Sequence, residues 1–199
     1  MKIIVIGANG TIGKAIVEQL GQRHDIVTAG RNSGQYQVRI EDSASVAALF
    51  ERTGPVDGVV VAAGDLHFGT LAEMTPEQFR IGLNSKLMGQ VHVALAAQHA
   101  LKDGGSITLT SGIVGHQPIR YGANASTVNL ALEGFVLGAA IELTRGVRIN
   151  LVDPTLVTES LPQYGAYFHG FETVEARRVA LAYARSVDGA ENGRTYRVW

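Results

Sequence analysis

The chain has 199 residues, a formal net charge of −1 and no cysteine. That length suits one domain that buries a full core without a disulfide or metal staple. The missing thiols exclude cysteine nucleophiles, disulfides and cysteine-ligated zinc, and the near-neutral charge gives no electrostatic reason to expect nucleic acid or an anionic membrane as partner. A composition of 46% hydrophobic and 18% charged residues is ordinary for a soluble α/β protein. Residues 2–6 read as a strand, not as the charged-then-apolar layout of a signal peptide. The longest apolar stretch, 130–143, is interrupted by Glu133 and Glu142 and is too short to span a bilayer. A cytoplasmic protein is expected.

The first strand, 3–6, runs into GANGTIG, which opens a helix over 11–22. Glycines at 7, 10 and 13 permit a tight turn and a close backbone approach to a pyrophosphate, and the helix start supplies free N–H groups. Gly7, Asn9, Gly10, Thr11, Ile12 and Gly13 therefore form the first half of a candidate dinucleotide site; a bare strand-to-helix turn is the alternative. The second strand, 25–29, ends in Gly30, Arg31, Asn32 and Ser33. An NAD site usually carries an acidic residue here for the ribose 2′-hydroxyl, whereas Arg31 after Gly30 suits a 2′-phosphate. NADP is thus expected over NAD, with a solvated arginine as the alternative. After a helix over 44–52, a strand over 56–62 ends at Ala62, Ala63 and Gly64, small enough to let an adenosine ribose lie against the backbone.

A long helix over 76–100 carries Asn84, and a strand over 106–110 delivers Ser111 to the edge where open α/β sheets bind ligands. Helix 126–144 and strand 147–152 lead into the irregular stretch 153–172, rich in proline, glycine and aromatics, which reads as a substrate loop or lid. Helix 174–186 and strand 195–198 close the chain. The strands are apolar throughout, as expected where helices cover both faces of a parallel sheet. The alternation predicts a doubly wound parallel sheet, a single Rossmann-type NAD(P)-binding domain over 1–199. The histidines show no metal spacing, so no metal is expected.

GANGTIG, Ala62-Ala63-Gly64, Asn84 in GLNSK, SITLTSGIVG and RINLVDPTLVT occur in an order and spacing that resembles the short-chain dehydrogenase/reductase family. The resemblance implies a nicotinamide dinucleotide, a small carbonyl or alcohol substrate, and a homodimer or homotetramer formed through the two long helices. It also implies a catalytic tyrosine, a lysine one helical turn later, a serine and an asparagine, because hydride transfer builds an alkoxide that must be protonated and stabilised. Asn84 matches the asparagine. The segment 139–150, aligned without a gap, puts Ala125 at the tyrosine position and Asn129 at the lysine position, with Ser111 or Gly112 at the serine.

Candidate replacements are Tyr121, four residues before Ala125, and Ser111; Asn129 retains hydrogen-bonding reach toward a nicotinamide ribose without a charge. The alternatives are loop packing for Tyr121, an ordinary polar helix residue for Asn129 and a backbone-bonding role for Asn84. His116, in the same loop as Ser111, is either a proton carrier or a surface residue. In the family's segment after the sixth strand, the backbone near Val157 would hold the nicotinamide carboxamide. Tyr164, Tyr167, Phe168 and Phe171 would wall the substrate pocket or simply pack the loop. Two functions follow: an NADP-dependent oxidoreductase with an atypical proton donor, or a catalytically degenerate NADP(H)-binding sensor.

Overall fold

The central strands bury side chains on both of their faces, and that pattern dictates three layers. In the computed structural model, which describes residues 1–199, β1 (Lys2–Ile6), β2 (Asp25–Gly30), β3 (Tyr36–Gln37), β4 (Val56–Val61), β5 (Leu101–Thr110), β6 (Arg148–Pro154) and β7 (Thr195–Val198) form one parallel sheet. Its order is β3-β2-β1-β4-β5-β6-β7. Along β1, Ile4 and Ile6 enter one apolar cluster while Ile3 and Val5 enter the other, as the two-residue period of a strand requires.

The helices α1 (Thr11–Gly21) and α7 (Ala176–Asp188) cover the face of Ile3 and Val5, with Ile16, Leu20, Val179 and Tyr183 fully buried. The opposite face lies under α2 (Ser43–Thr53), α4 (Gln90–Ala100) and α5 (Ala123–Glu142), through Val46, Val93, Leu132 and Val136. The strand order reverses between β1 and β4, and such a switch point opens a crevice at the carboxyl ends of the strands. No helix is long and apolar enough to cross a membrane.

Four departures from the sequence reading are local. The short edge strand β3 was not predicted. Strand β5 starts at Leu101, five residues earlier than expected, through a register shift against β4 between Val56 and Gly58. The expected helix over 76–100 is broken: α3 (Pro76–Gly82), started by a Thr75 and Gln78 capping box, runs into a π-helical turn, Leu83–Gly89, before α4. The i→i+5 turn holds one extra residue, which swings the following side chains by ~100° around the axis. The stretch 153–172 is not structureless: it holds the short helix α6 (Leu161–Tyr164) between two 3₁₀ turns, Thr158–Ser160 and Gly165–Tyr167.

Candidate active site

The first end of the crevice is made of backbone. Gly7 has φ +86°, and a methyl group on it would lie 2.4 Å from the Ala62 carbonyl oxygen. A methyl on Gly13 would lie 2.0 Å from the Gly7 carbonyl oxygen, so strand, turn and helix meet at a distance only glycine allows. Helix α1 has no side-chain cap at Gly10 and no acid in its first turn. Its first intrahelical bond runs from Lys14 N–H to Gly10 C=O at 2.9 Å, which leaves the N–H groups of Thr11, Ile12 and Gly13 ahead of the helix ladder. This cradle fits a dinucleotide pyrophosphate: open donors, a positive helix end and no competing carboxylate.

At the edge of this cradle, Arg31 donates to Glu41 Oε1 at 2.6 Å and to Asp65 Oδ2 at 2.8 Å. The Asp65 carboxylate, and then Glu41, raise the guanidinium pKa. The side chain remains about half exposed, at 47%, with Asn32 and Ser33 exposed beside it. Arg31 is a cation already held in place by acids, and an incoming phosphate would share it with them.

The second end is made of side chains. A cavity of about 350 Å³ runs from Ile12 and Gly64 to Val157 and Phe168, and its polar lining includes Lys86, Ser111 and Asn129. Ser111, at the end of β5, donates to Asp153 Oδ1 at 3.0 Å, and Trp199 Nε1 donates to Asp153 Oδ2 at 3.1 Å. Burial pushes the Asp153 carboxyl above the ordinary carboxylate range, against the pull of those two bonds. Asn129 is 3% exposed, and its Oδ1 is buried without any hydrogen-bond partner. An orphan acceptor of this kind costs ~1–3 kcal/mol and suits a ligand hydroxyl. Lys86 is 9% exposed, its side-chain stem lies against Gly64, and its ammonium makes no ion pair or hydrogen bond within the protein. Burial pulls its pKa down to about 8, against the opposing pull of Asp153.

Several sequence expectations meet in this cavity and others do not. Ile12, Gly64, Ser111, Asn129 and Val157 line it. Asn84 does not: it sits in the π-helical turn but is exposed, while Lys86, two residues later in the same turn, is buried and lines the cavity. Tyr121 is also outside. Its backbone is left-handed (φ +68°), its ring meets Tyr167 edge-on at 6.5 Å, and Arg120 lies over its face. Ala125 is fully buried, so no hydroxyl reaches the cavity from that turn of α5. His116 pairs with Glu133 at 2.6 Å, away from the cavity lining. No cluster of three or more potential metal ligands is present.

Lys86, Gln90 and Asn124 were missed from the sequence. Buried Gln90 donates to the carbonyls of Lys86 (3.0 Å) and Thr110 (2.8 Å) and accepts from Thr110 N–H, locking the turn that carries Lys86 onto the end of β5. Asn124 accepts from His67 N–H and donates to the Phe79 carbonyl, tying the loop after β4 to α3. A lysine inside a predicted amphipathic helix reads as surface, and only the π-helical winding reveals otherwise.

The reversed parallel sheet, the glycine cradle at its switch point and the adjoining cavity define a Rossmann-type dinucleotide-binding protein. Residues 7–194 match the family described as enoyl-(acyl carrier protein) reductase, and the chain belongs to the short-chain dehydrogenase/reductase family. It is 29% identical to 3-oxoacyl-(acyl-carrier-protein) reductase MabA of Mycobacterium avium, over 90% of this chain and 77% of that one. An uncharacterized NAD-dependent oxidoreductase of Mycobacterium tuberculosis is 28% identical over 83% of this chain and 67% of its own. Among solved structures, the protein lin1944 from Listeria innocua superimposes with a TM-score of 0.99 at 43% identity, covering both chains completely. A small-chain dehydrogenase in complex with NADPH superimposes with a TM-score of 0.89 at 26% identity, over all of this chain and 96% of that one.

Proposed function

We propose that the chain is an NADP(H)-dependent oxidoreductase acting on a small, largely apolar carbonyl or alcohol. The observation that carries this reading is the continuity of the site: an uncapped glycine cradle meets, at Ile12, one cavity lined by an unpaired lysine, a serine and an orphan amide oxygen. Gly7, Asn9, Gly10, Thr11, Ile12 and Gly13 would hold the pyrophosphate. Arg31, Asn32 and Ser33 would take the 2′-phosphate, and Ala62, Ala63 and Gly64 the adenosine ribose. Asn129 Oδ1 would accept from a nicotinamide ribose hydroxyl, and the backbone at Val157 would face the carboxamide. When bound, the dinucleotide supplies or accepts the hydride.

The apolar lining at Leu66, Phe68, Ile113 and Phe168 favours an uncharged substrate, which would displace water from the reacting end. Phe68 stacks on Tyr167 at 5.1 Å, and Phe168 meets Phe171 edge-on at 5.4 Å. The segment 153–172 thereby closes one wall as a lid. The NADPH-bound structural relative supports the choice of NADP over NAD. We further infer self-association through α4 and α5, where Leu95, Leu130, Leu137 and Ile141 are exposed around the open Gly134 and Gly138; sedimentation should show a dimer or larger.

Calorimetric titration with NADPH and NADH, followed by turnover assays on aldehydes, ketones and quinones, tests the reading. NADPH binding with turnover supports it. The buried Ala125 at the expected tyrosine favours one competitor, a sensor that holds NADP(H) without turnover. Tight NADPH binding with none of these substrates turned over would select that sensor.

A further inference from the structure

We infer that Lys86 is the proton donor of this site, delivering Nζ–H to the substrate oxygen during carbonyl reduction; the inference rests on the oxidoreductase reading. The donors that face the cavity leave few other choices. Ser111 already gives its hydroxyl hydrogen to Asp153 at 3.0 Å, so toward the cavity it can only accept. Tyr164 also reaches the lining, from the short helix α6; its hydroxyl accepts from the exposed Gln163 amide at 3.0 Å and keeps its own hydrogen, which makes it the rival donor. Ala125 has no polar group, and Tyr121 lies outside. Lys86 brings an unengaged acid from the more rigid wall: its stem is clamped against Gly64, where a methyl would lie 2.7 Å from the Lys86 Cα, and its carbonyl is held by Gln90.

The charged groups around it leave the ammonium free. Asp153, the nearest opposite charge to act on it, is occupied by Ser111 and Trp199, and Asp65 by Arg31. A desolvated, unpaired ammonium gives up a proton more readily than a solvated one, and burial brings Lys86 to about 8, near the range suited to proton transfer at neutral pH. In the step itself, the carbonyl carbon gains the hydride and the π pair moves to oxygen. The oxygen takes the proton from Nζ, leaving a neutral amine that solvent reprotonates. The dinucleotide is the two-electron reductant.

The test compares wild type with Lys86→Met, Lys86→Arg and Tyr164→Phe. Lysine side chains are followed by isotope-edited NMR in the ligand-free protein, and reductase activity by NADPH oxidation across pH 6–10. The signal absent from Lys86→Met should titrate near 8, well below the other lysines. Turnover should fall on the order of 100-fold in Lys86→Met, and equally in Lys86→Arg, which keeps the charge but holds its proton. NADPH affinity should hold within about threefold, roughly 0.6 kcal/mol. Titration of Lys86 above 10, or unchanged turnover in Lys86→Met with Tyr164→Phe inactive, overturns the assignment while leaving the oxidoreductase reading intact. Failure of wild type to bind NADPH overturns that reading instead.

Discussion

The two ends of the crevice solve opposite problems. The glycine end offers a ligand backbone N–H groups with no side-chain cap and no acid beside them, so any specificity there comes from shape. The other end holds an unpaired ammonium on a buried lysine and an orphan amide oxygen, groups that cost stability until a ligand meets them. Binding geometry can thus be built from the main chain at little cost. Reactivity cannot, because it needs charge kept away from water. Strain and desolvation gather where chemistry is to be done.

The comparison breaks most visibly at Gly13. Gly13→Ala places a methyl 2.0 Å from the Gly7 carbonyl oxygen, and backbone cannot yield as a side chain can. Saturable NADPH binding should vanish in calorimetry, with stability lowered by roughly 1–3 kcal/mol. Lys86→Met sharpens the other side by raising stability. The native state pulls the Lys86 pKa from 10.5 down to about 8, so below pH 8 the folded chain bears a charge the unfolded chain holds more comfortably. At ~1.4 kcal/mol per pH unit of that displacement, the gain at pH 7 is at most roughly 3 kcal/mol. Between about 8 and 10.5 the unfolded wild type binds more protons, so wild-type stability should climb with pH while the variant stays flat. Denaturant titrations at pH 7, 9 and 10.5 check both statements.

Arg31→Ala should weaken NADPH about tenfold, ~1.4 kcal/mol, and leave NADH unchanged. The effect is modest because Glu41 and Asp65 already share the guanidinium. Tyr121→Phe should change turnover by less than about twofold, ~0.4 kcal/mol, since the ring belongs to the outer aromatic cluster and not to the cavity.

The backbone end was legible in the sequence because glycine has few reasons to recur at 7, 10 and 13 between a strand and a helix, and strand apolarity announced the parallel sheet. Ser111 and Asn129 were legible too, from the strand end and the helical spacing. The remainder of the reacting end was not. Asn84 was selected by its match to the family's asparagine, whereas the structure leaves it exposed and lines the cavity with Lys86, two positions on. A π-helical turn leaves composition and periodicity nearly unchanged, so nothing in the sequence marked Lys86 as buried. Tyr121 was misplaced for a related reason: its left-handed backbone at the entry to α5 directs it away from the cavity.

The chain's only tryptophan, Trp199, donates to Asp153, which in turn accepts from Ser111 in the cavity wall. Its fluorescence therefore reports directly on a nicotinamide placed there, and titration with NADPH and with NADH is the most direct test of the account. Saturable quenching by NADPH, at concentrations where NADH has little effect, is the predicted result. Absence of quenching by either nucleotide, with no calorimetric heat, would contradict it.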